Sequence, residues 1–120
     1  MPTRQQKLGK WGEDLAAERL ADMGYEIVAR NWRCPAGELD IVAYDQGELV
    51  FVEVKTRWGG PPEESIGPAK QAKLIELAQR YVQLKGEEGQ SWRIDAVLVE
   101  LTRGGRLVRL EVIENAVGEW

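Results

Sequence analysis

The sequence predicts one α/β domain over residues 1–120, with the element order helix, three strands, helix and strand (αβββαβ). It also predicts a central mixed sheet flanked by helices and an extra C-terminal edge strand. Three observations support this fold class. Apolar residues recur at helical spacing in two segments of the chain. Residues that favour β-structure are frequent in most of the remaining segments. The second helix separates the third and fourth strands, and such a crossover makes those strands parallel.

The first helix is predicted from a capping pair and an apolar stripe. Thr3 and Gln6 can form a capping box, and the helical pattern ends at Gly24. The stripe consists of Leu8, Trp11, Leu15, Ala16, Leu20 and Met23. Glu13 lies at the flank of the stripe, so its side chain can reach inward or remain one of several solvated acids. Taken alone, its position favours the solvated arrangement.

Three strands follow, and the last two form a hairpin. We expect a strand from Tyr25 to Trp32, a turn at residues 34–37, and a second strand that begins at Glu38. A tight turn at residues 46–47 leads into the third strand. The preferred register makes one face apolar by pairing Leu39 with Val54, Ile41 with Val52 and Ala43 with Val50.

Polar side chains collect at one end of the other face of this hairpin. The same register sets Asp40 opposite Glu53 and Glu38 opposite Lys55. Two carboxylates in that position have Cβ atoms about 4.5–5.5 Å apart and repel each other. A proton or a cation relieves the repulsion, and Mg²⁺ or Mn²⁺ suits carboxylates that leave positions for water and phosphate. Alternatively, Glu38 and Lys55 form an ordinary ion pair while the other two acids face solvent.

A mobile loop is expected beside these acids, at residues 58–67, because its glycines and prolines cannot sustain a helix or a strand. Trp58 could stack on a base, but packing is the more usual role of tryptophan in a small chain. The next helix begins at Pro68 and runs to about Gly86. Its predicted apolar stripe is Ala72, Ile75, Ala78, Tyr81 and Val82. Lys70 and Lys73 near its start are candidate phosphate contacts, although paired lysines often form a solvated face.

The C-terminal part predicts two more strands. Trp92–Leu101 is nearly continuously apolar, so we expect a central strand that is buried on both sides and parallel to the third. Residues 103–106 form a turn, and Leu107–Ile113 alternates as an edge strand.

Composition limits the chemistry that this chain can perform. The absence of histidine removes the commonest general base and most zinc geometries, which leaves carboxylates, lysine and a hard metal. The net charge of −4 provides no global basic field for nucleic acid. The single cysteine, Cys34, fits a reducing compartment. Because neither a membrane span nor a signal peptide is visible, we expect a cytoplasmic protein.

An ordered set of motifs resembles a known family. An acid in the first helix, then Asp40, then Glu53-Val54-Lys55, is similar to the PD-(D/E)xK nucleases of the restriction-endonuclease-like fold. Residues 12–13, 37–40 and 50–55 resemble the YraN-like family of uncharacterised bacterial proteins. This resemblance runs from the first helix through the fourth strand. It implies a nuclease-like fold similar to archaeal Holliday-junction resolvases, with a leucine where the superfamily name has proline.

The resemblance also implies site residues. The candidate catalytic residues are Glu13, Glu38, Asp40, Glu53 and Lys55. Asp40 and Glu53 would bind the metal, Glu13 would support the site, and Lys55 would contact the attacking water or scissile phosphate. Candidate nucleic-acid contacts are Arg57, Lys70 and Lys73.

The function expected from these observations is Mg²⁺- or Mn²⁺-dependent hydrolysis of DNA phosphodiesters, with branched or junction DNA in repair or recombination as the favoured substrate. A homodimer would allow cleavage of two strands. Two alternatives stay open: a nucleic-acid-binding or adaptor module without catalysis, and a protein-interaction domain, with which the acidic balance is compatible.

Overall fold

The computed structural model describes residues 1–63 and 65–117, which form two helices and five strands. The helices are α1 (Arg4–Asp22) and α2 (Pro68–Leu84). The strands are β1 (Glu26–Cys34), β2 (Gly37–Asp45), β3 (Glu48–Trp58), β4 (Trp92–Leu101) and β5 (Leu107–Ile113). Glu64, which belongs to the predicted loop, lies outside the described residues. The predicted αβββαβ order and the additional C-terminal strand are confirmed.

The strands form one sheet in the order β1-β2-β3-β4-β5. Neighbouring strands are antiparallel except for β3 and β4, which are parallel as expected for strands joined by a helical crossover. β4 therefore lies inside the sheet, and β5 forms its edge. This mixed sheet has the topology that was predicted for the restriction-endonuclease-like core.

A two-residue turn sets the register of β2 and β3. Gln46 and Gly47 both have positive φ, at 52° and 85°, as a type I′ hairpin turn requires. Asp45 is therefore paired with Glu48, and the predicted partners Ile41 with Val52 and Ala43 with Val50 are confirmed. The paired positions end at Ile41 and Val52, so the ladder does not extend to the acidic end of the hairpin.

The two helices cover opposite faces of the sheet, and each face has its own apolar core. The core against α1 includes Ile41, Ala43, Val50 and Val52, with Val54 packed beside it. The core against α2 includes Phe51, Leu74, Leu77 and Ile94. Leu39 also belongs to the α2 core, so the prediction that it shares a face with Ile41 is wrong. The side-chain alternation of β2 is interrupted between these two residues.

Helix α1 begins as predicted, with the capping box of Thr3 and Gln6. The predicted stripe needs correction, because Trp11 and Met23 are about half exposed while Gly12 and Ala17 are buried. A Cβ atom at Gly12 would overlap the side chain of Thr56 on β3. Glycine thus lets the helix approach the sheet closely and leaves Trp11 at the flank, where its indole donates to the Gly105 carbonyl at 3.0 Å.

Helix α2 begins with Pro68 in its first turn, as predicted, and ends two residues before the expected limit at Gly86. Its stripe was predicted in part. Ala78, Tyr81 and Val82 are buried and Ile75 is partly buried, but Ala72 is exposed and Leu74 and Leu77 take its place. The reason is that the covered face is centred on Leu74, Leu77 and Ala78, whereas Ala72 lies roughly 160° around the helix from Leu74, on the opposite side.

Strand β4 contains a buried polar network, although its sequence is nearly continuously apolar. The Asp95 side chain is completely buried and accepts hydrogen bonds from the Tyr25 hydroxyl at 2.8 Å and the Arg93 Nε at 2.9 Å. Arg93 also forms ion pairs with Asp45 at 2.8 Å and Glu48 at 2.9 Å. These contacts tie β4 to the turn of the β2–β3 hairpin, at the end opposite the predicted site.

Candidate metal and nucleic-acid site

Asp40 lies where the sheet opens on both sides of β2. Its register positions would be opposite Asn31 on β1 and Glu53 on β3, but the paired positions stop short of it on β3 and skip it on β1. Instead, the Asp40 Oδ2 accepts a hydrogen bond of 2.8 Å from the backbone N–H of Val54. The carboxyl group therefore replaces a backbone carbonyl and is fixed in the gap between the strands.

The same irregularity is visible in the neighbouring strand. On one side of Asn31, Arg30 is paired with Ile41 and reaches acids of α1; on the other side, Trp32 is paired with Leu39, and both pack in the α2 core. Asn31 itself has a φ of 54°, a left-handed conformation that is uncommon for a residue with a side chain. In both strands, the regular alternation of side chains between the two faces of the sheet is therefore interrupted at the level of Asp40.

The electrostatic surroundings of Asp40 favour its protonated form. Burial raises the pKa of Asp40 from 3.8 to about 8, assisted by the adjacent Glu53 carboxyl and by the charge of Glu13. The hydrogen bond from the Val54 N–H opposes this rise in pKa. The predicted proximity of Asp40 and Glu53 is confirmed. This pair of carboxyl groups can bind either a proton or a cation.

Glu53 meets a lysine from α2. Its Oε2 lies 3.0 Å from the Lys70 Nζ, and the Glu53 side chain is only 13% exposed. Lys55 instead donates to the Ser65 carbonyl at 2.7 Å, at the end of the loop that precedes α2. One basic group therefore neutralises Glu53, and a second fastens the neighbouring loop to β3.

Glu13 reaches the site from α1, so its side chain is not one of the solvated acids. Its Oε1 accepts from the Asn31 side-chain amide at 2.9 Å and from Arg30 at 3.2 Å, and the side chain is 15% exposed. Arg30 also forms an ion pair with Asp14, and this contact is shorter, at 2.6 Å. Glu13 is thus held by one neutral and one shared charged donor.

Other predicted residues lie around this centre with different partners. Glu38 forms an ion pair of 3.1 Å with Arg33, its partner on β1, so the expected pairing with Lys55 is wrong. The cause is the opening of the hairpin beyond Ile41. Arg57 donates to the Pro61 carbonyl at 3.4 Å.

Lys73 is directed towards the β1–β2 turn. Its Nζ donates to the Ala36 carbonyl at 3.2 Å and lies 3.3 Å from Glu76. Trp58 is partly buried against the α1 core, so packing is its observed role. Both observations place these side chains around the site rather than in it.

The oxygen donors at Asp40 and Glu53 fit a hard divalent ion that keeps most of its ligands as water. Within residues 1–63 and 65–117, no group of three or more His, Cys, Asp or Glu side chains is arranged to hold a metal ion. A closed protein cage is therefore absent from the described residues. The raised pKa of Asp40 nevertheless shows that its ionised form is disfavoured at this position, and a bound cation would stabilise that form.

Two features of the site escaped prediction from the sequence. Asn31 could have been noticed, because asparagine is depleted in strand interiors and tolerates left-handed φ. The approach of Lys70 to Glu53 has no local signal, since it depends on how α2 crosses the sheet.

Comparison with known proteins gives consistent matches. The sequence model described as "Uncharacterised protein family UPF0102" matches residues 12–99. A UPF0102 protein of Roseiflexus castenholzii is 46% identical over 123 residues, and one of Chloroflexus aurantiacus is 44% identical over 120 residues. Each of these matches covers 99% of both chains. Among solved structures, a repair endonuclease from Pyrococcus abyssi is similar with a TM-score of 0.42 and 18% identity, over 85% of this chain and 39% of that chain.

Proposed function

The chain belongs to the uncharacterised protein family UPF0102, and from its site we propose that it hydrolyses phosphodiester bonds of nucleic acid, with DNA as substrate and Mg²⁺ or Mn²⁺ as cofactor. The observation that carries this proposal is the gap around Asp40, where a partly buried carboxyl group faces Glu53. A purely structural sheet gains nothing from such a like-charge pair. A site that binds a divalent cation, in contrast, needs such a pair of carboxylates as ligands.

In this proposal, Asp40 and Glu53 hold the divalent ion. The hydrogen bond from the Val54 N–H orients Asp40, so one carboxylate oxygen is already fixed before any ion binds. When bound, the ion would polarise the phosphodiester and favour ionisation of the attacking water. Lys70 must leave Glu53 at least in part, because its ammonium group competes for the same oxygen.

Lysine side chains would then contact the substrate. Lys55 follows Glu53 by two residues on β3, so both side chains project from the same face about 6.6–6.8 Å apart along the strand. We assign the Lys55 ammonium to the scissile phosphate or the attacking water, where it stabilises developing negative charge. Lys70, once released from Glu53, can neutralise a neighbouring phosphate.

Exposed basic groups around the opening form the proposed contact surface for the phosphate backbone. The side chains of Arg33, Lys70 and Lys73 are 76%, 49% and 45% exposed, and Arg57 is also exposed. Because the net charge is −4, this contact must be local, and its affinity should fall steeply with salt. Branched or junction DNA remains the favoured substrate on the strength of the family resemblance.

A direct cleavage assay tests the activity. The protein would be incubated with end-labelled linear, flapped and four-way-junction DNA in Mg²⁺, Mn²⁺ or EDTA. We expect cleavage that needs the metal and is abolished in Glu53→Ala and strongly reduced in Lys55→Ala. Glu18→Ala, which removes an exposed acid of α1, is the matched control and should retain activity. Cleavage that persists in both site variants contradicts the assignment.

The second candidate is a nucleic-acid-binding or adaptor module without catalysis. The 3.0 Å contact between Lys70 and Glu53 favours it, because an internal ammonium group already neutralises one carboxylate. Calorimetric titration with Mn²⁺ separates the two candidates. DNA binding without Mn²⁺ binding that depends on Asp40 and Glu53 would support the module.

The remaining expectations concern location and assembly. Neither helix of the described residues combines the length and apolar character needed to cross a membrane. The cytoplasmic location and the homodimer stay predictions.

A further inference from the structure

We propose that Asn31 is a positioning residue of this site, which holds the Glu13 carboxylate beside Asp40 and opens the sheet at that point. This inference rests on the proposed function. It concerns a residue of β1 that carries no charge and follows Arg30 in what reads as an ordinary strand. Three structural features support it.

The first feature is the backbone of Asn31. Its φ of 54° places a residue with a side chain in the left-handed region, inside a strand. Such a conformation has an energetic cost that asparagine bears better than most residues. Backbone strain of this kind is often found at functional sites, where the surrounding structure maintains it. In β1, the left-handed conformation of Asn31 interrupts the alternation of side chains between the two faces of the sheet. Arg30 and Trp32 therefore contact opposite helices.

The second feature is the register. The neighbouring pairs Arg30 with Ile41 and Trp32 with Leu39 make Asn31 and Asp40 the opposing positions between them, yet these two are not ladder partners. Because this ladder pair is missing, the regular pleat does not constrain Asp40, and its carboxyl group can turn to the Val54 N–H of the next strand. The conformation of Asn31 and the placement of Asp40 therefore belong to one irregularity.

The third feature is the side chain. The Asn31 Nδ2 donates to the Glu13 Oε1 at 2.9 Å, a shorter contact than that of Arg30 with the same oxygen, at 3.2 Å. Arg30 is in addition shared with Asp14. Because Asn31 lies across from Asp40, this bond brings the Glu13 carboxylate to the α1 side of the opening.

A neutral donor suits this task for an electrostatic reason. An arginine or lysine that held Glu13 alone would cancel its charge, whereas an amide fixes its position and leaves the charge in place. Arg30 also contacts Glu13, at 3.2 Å, but is shared with Asp14, so Glu13 still adds negative charge to the side of the site that lies away from Lys70. The expected consequence is tighter binding of a divalent cation at Asp40 and Glu53.

Glycine at position 31 provides the test. Glycine adopts left-handed φ freely, so Asn31→Gly keeps the backbone and removes only the amide. Asn115→Gly is the matched control, because Asn115 has a φ of 53° and its backbone N–H, which bonds to Asp95, is retained. Mn²⁺ affinity of the metal-free proteins would be measured by calorimetry, with urea unfolding as the measure of folding.

We expect Asn31→Gly to unfold near the midpoint of the unmodified protein and to bind Mn²⁺ about 10-fold more weakly, as is typical when a supporting partner of a ligand group is lost. Asn115→Gly should bind normally. A Mn²⁺ affinity of Asn31→Gly within twofold of the unmodified protein overturns the positioning role and leaves only the backbone role, while the proposed function stands. Failure of the unmodified protein to bind Mn²⁺ overturns both.

A second variant, Glu13→Gln, covers the case in which Asn31→Gly fails to fold. Glu13→Gln keeps the shape of the side chain and an oxygen that can accept from Asn31, but removes the charge. If Asn31 acts through Glu13, Glu13→Gln weakens Mn²⁺ binding by a similar factor. Where Asn31→Gly does fold, combining the two changes causes little further loss. Unchanged Mn²⁺ affinity in Glu13→Gln contradicts the inference.

Discussion

The Asp40 carboxylate accepts a hydrogen bond of 2.8 Å from the Val54 N–H, so a side chain satisfies an amide that the next strand would otherwise satisfy. This contact holds a carboxyl group at the centre of the sheet opening, where burial raises its pKa to about 8. Folding therefore stabilises the protonated form of a residue that the proposed function needs in its ionised form. This conflict should make both the stability and the cation affinity of the protein depend on pH.

Asp40→Asn should stabilise the metal-free protein at neutral and alkaline pH. The pKa of Asp40 in the folded state lies above its ordinary value of 3.8, so its stabilising contribution is complete below about pH 4 and is lost as the pH rises through about 8. Asparagine keeps the acceptor for Val54 and never ionises. The gain in unfolding free energy over the unmodified protein should grow between pH 4 and 8, by at most about 1.4 kcal/mol per pH unit.

Urea unfolding at several pH values, in the presence of EDTA, measures this difference. Glu18→Gln, at an exposed position of α1, is the control and should leave the pH profile unchanged. A stability difference between Asp40→Asn and the unmodified protein that is constant from pH 4 to 9 would contradict a raised pKa of Asp40.

Binding of a divalent cation should release a proton at neutral pH. With a pKa of about 8, Asp40 is mostly protonated at pH 7 and must ionise before it binds the ion. Calorimetry of Mn²⁺ binding in buffers of different ionisation enthalpy should report release of about one proton at pH 7 and much less above pH 9. Release that is absent at both pH values would show that Asp40 is not a ligand.

Lys70→Gln should tighten cation binding and weaken DNA binding. The Lys70 ammonium lies 3.0 Å from Glu53 and competes with any cation for that carboxylate, so its removal should lower the Mn²⁺ dissociation constant severalfold. The same change removes one candidate phosphate contact and should reduce the slope of log affinity against log salt by about 1.

Calorimetry with Mn²⁺ and fluorescence anisotropy with labelled DNA would measure the two effects of Lys70→Gln. Lys85→Gln, which changes an exposed lysine at the other end of α2, is the control and should alter Mn²⁺ binding very little. Weaker Mn²⁺ binding by Lys70→Gln would contradict the competition.

Two glycines of α1 should respond to alanine in opposite directions. At Gly12 an added Cβ overlaps Thr56, so Gly12→Ala should destabilise the protein by about 1–3 kcal/mol as the helix moves off the sheet. At Gly9 no other atom lies within 4 Å of an added Cβ, so Gly9→Ala should stabilise it by up to about 1 kcal/mol through helix propensity. Denaturant unfolding compares them, and equal effects would refute the close approach at Gly12.

Local patterns in the sequence were sufficient for most of the fold. The capping box at Thr3, the turn at Gln46-Gly47 and the start of α2 at Pro68 each depend on residues within a few positions of one another. The helical stripes were less well predicted. The error at Trp11 arises because the depth of a residue depends on how closely the helix approaches the sheet, and the error at Ala72 arises because packing decides which face of α2 is covered.

The sequence by itself determined the order of elements, the hairpin register near its turn, and the proximity of Asp40 and Glu53 in a candidate site. Only the tertiary structure decided that the sheet opens at Asp40, that Asn31 holds Glu13 there, and that Lys70 rather than Lys55 contacts Glu53. The physical reason is range. Register and capping depend on neighbours along the chain, whereas these contacts join α1, three strands and α2 and depend on how all of them pack together.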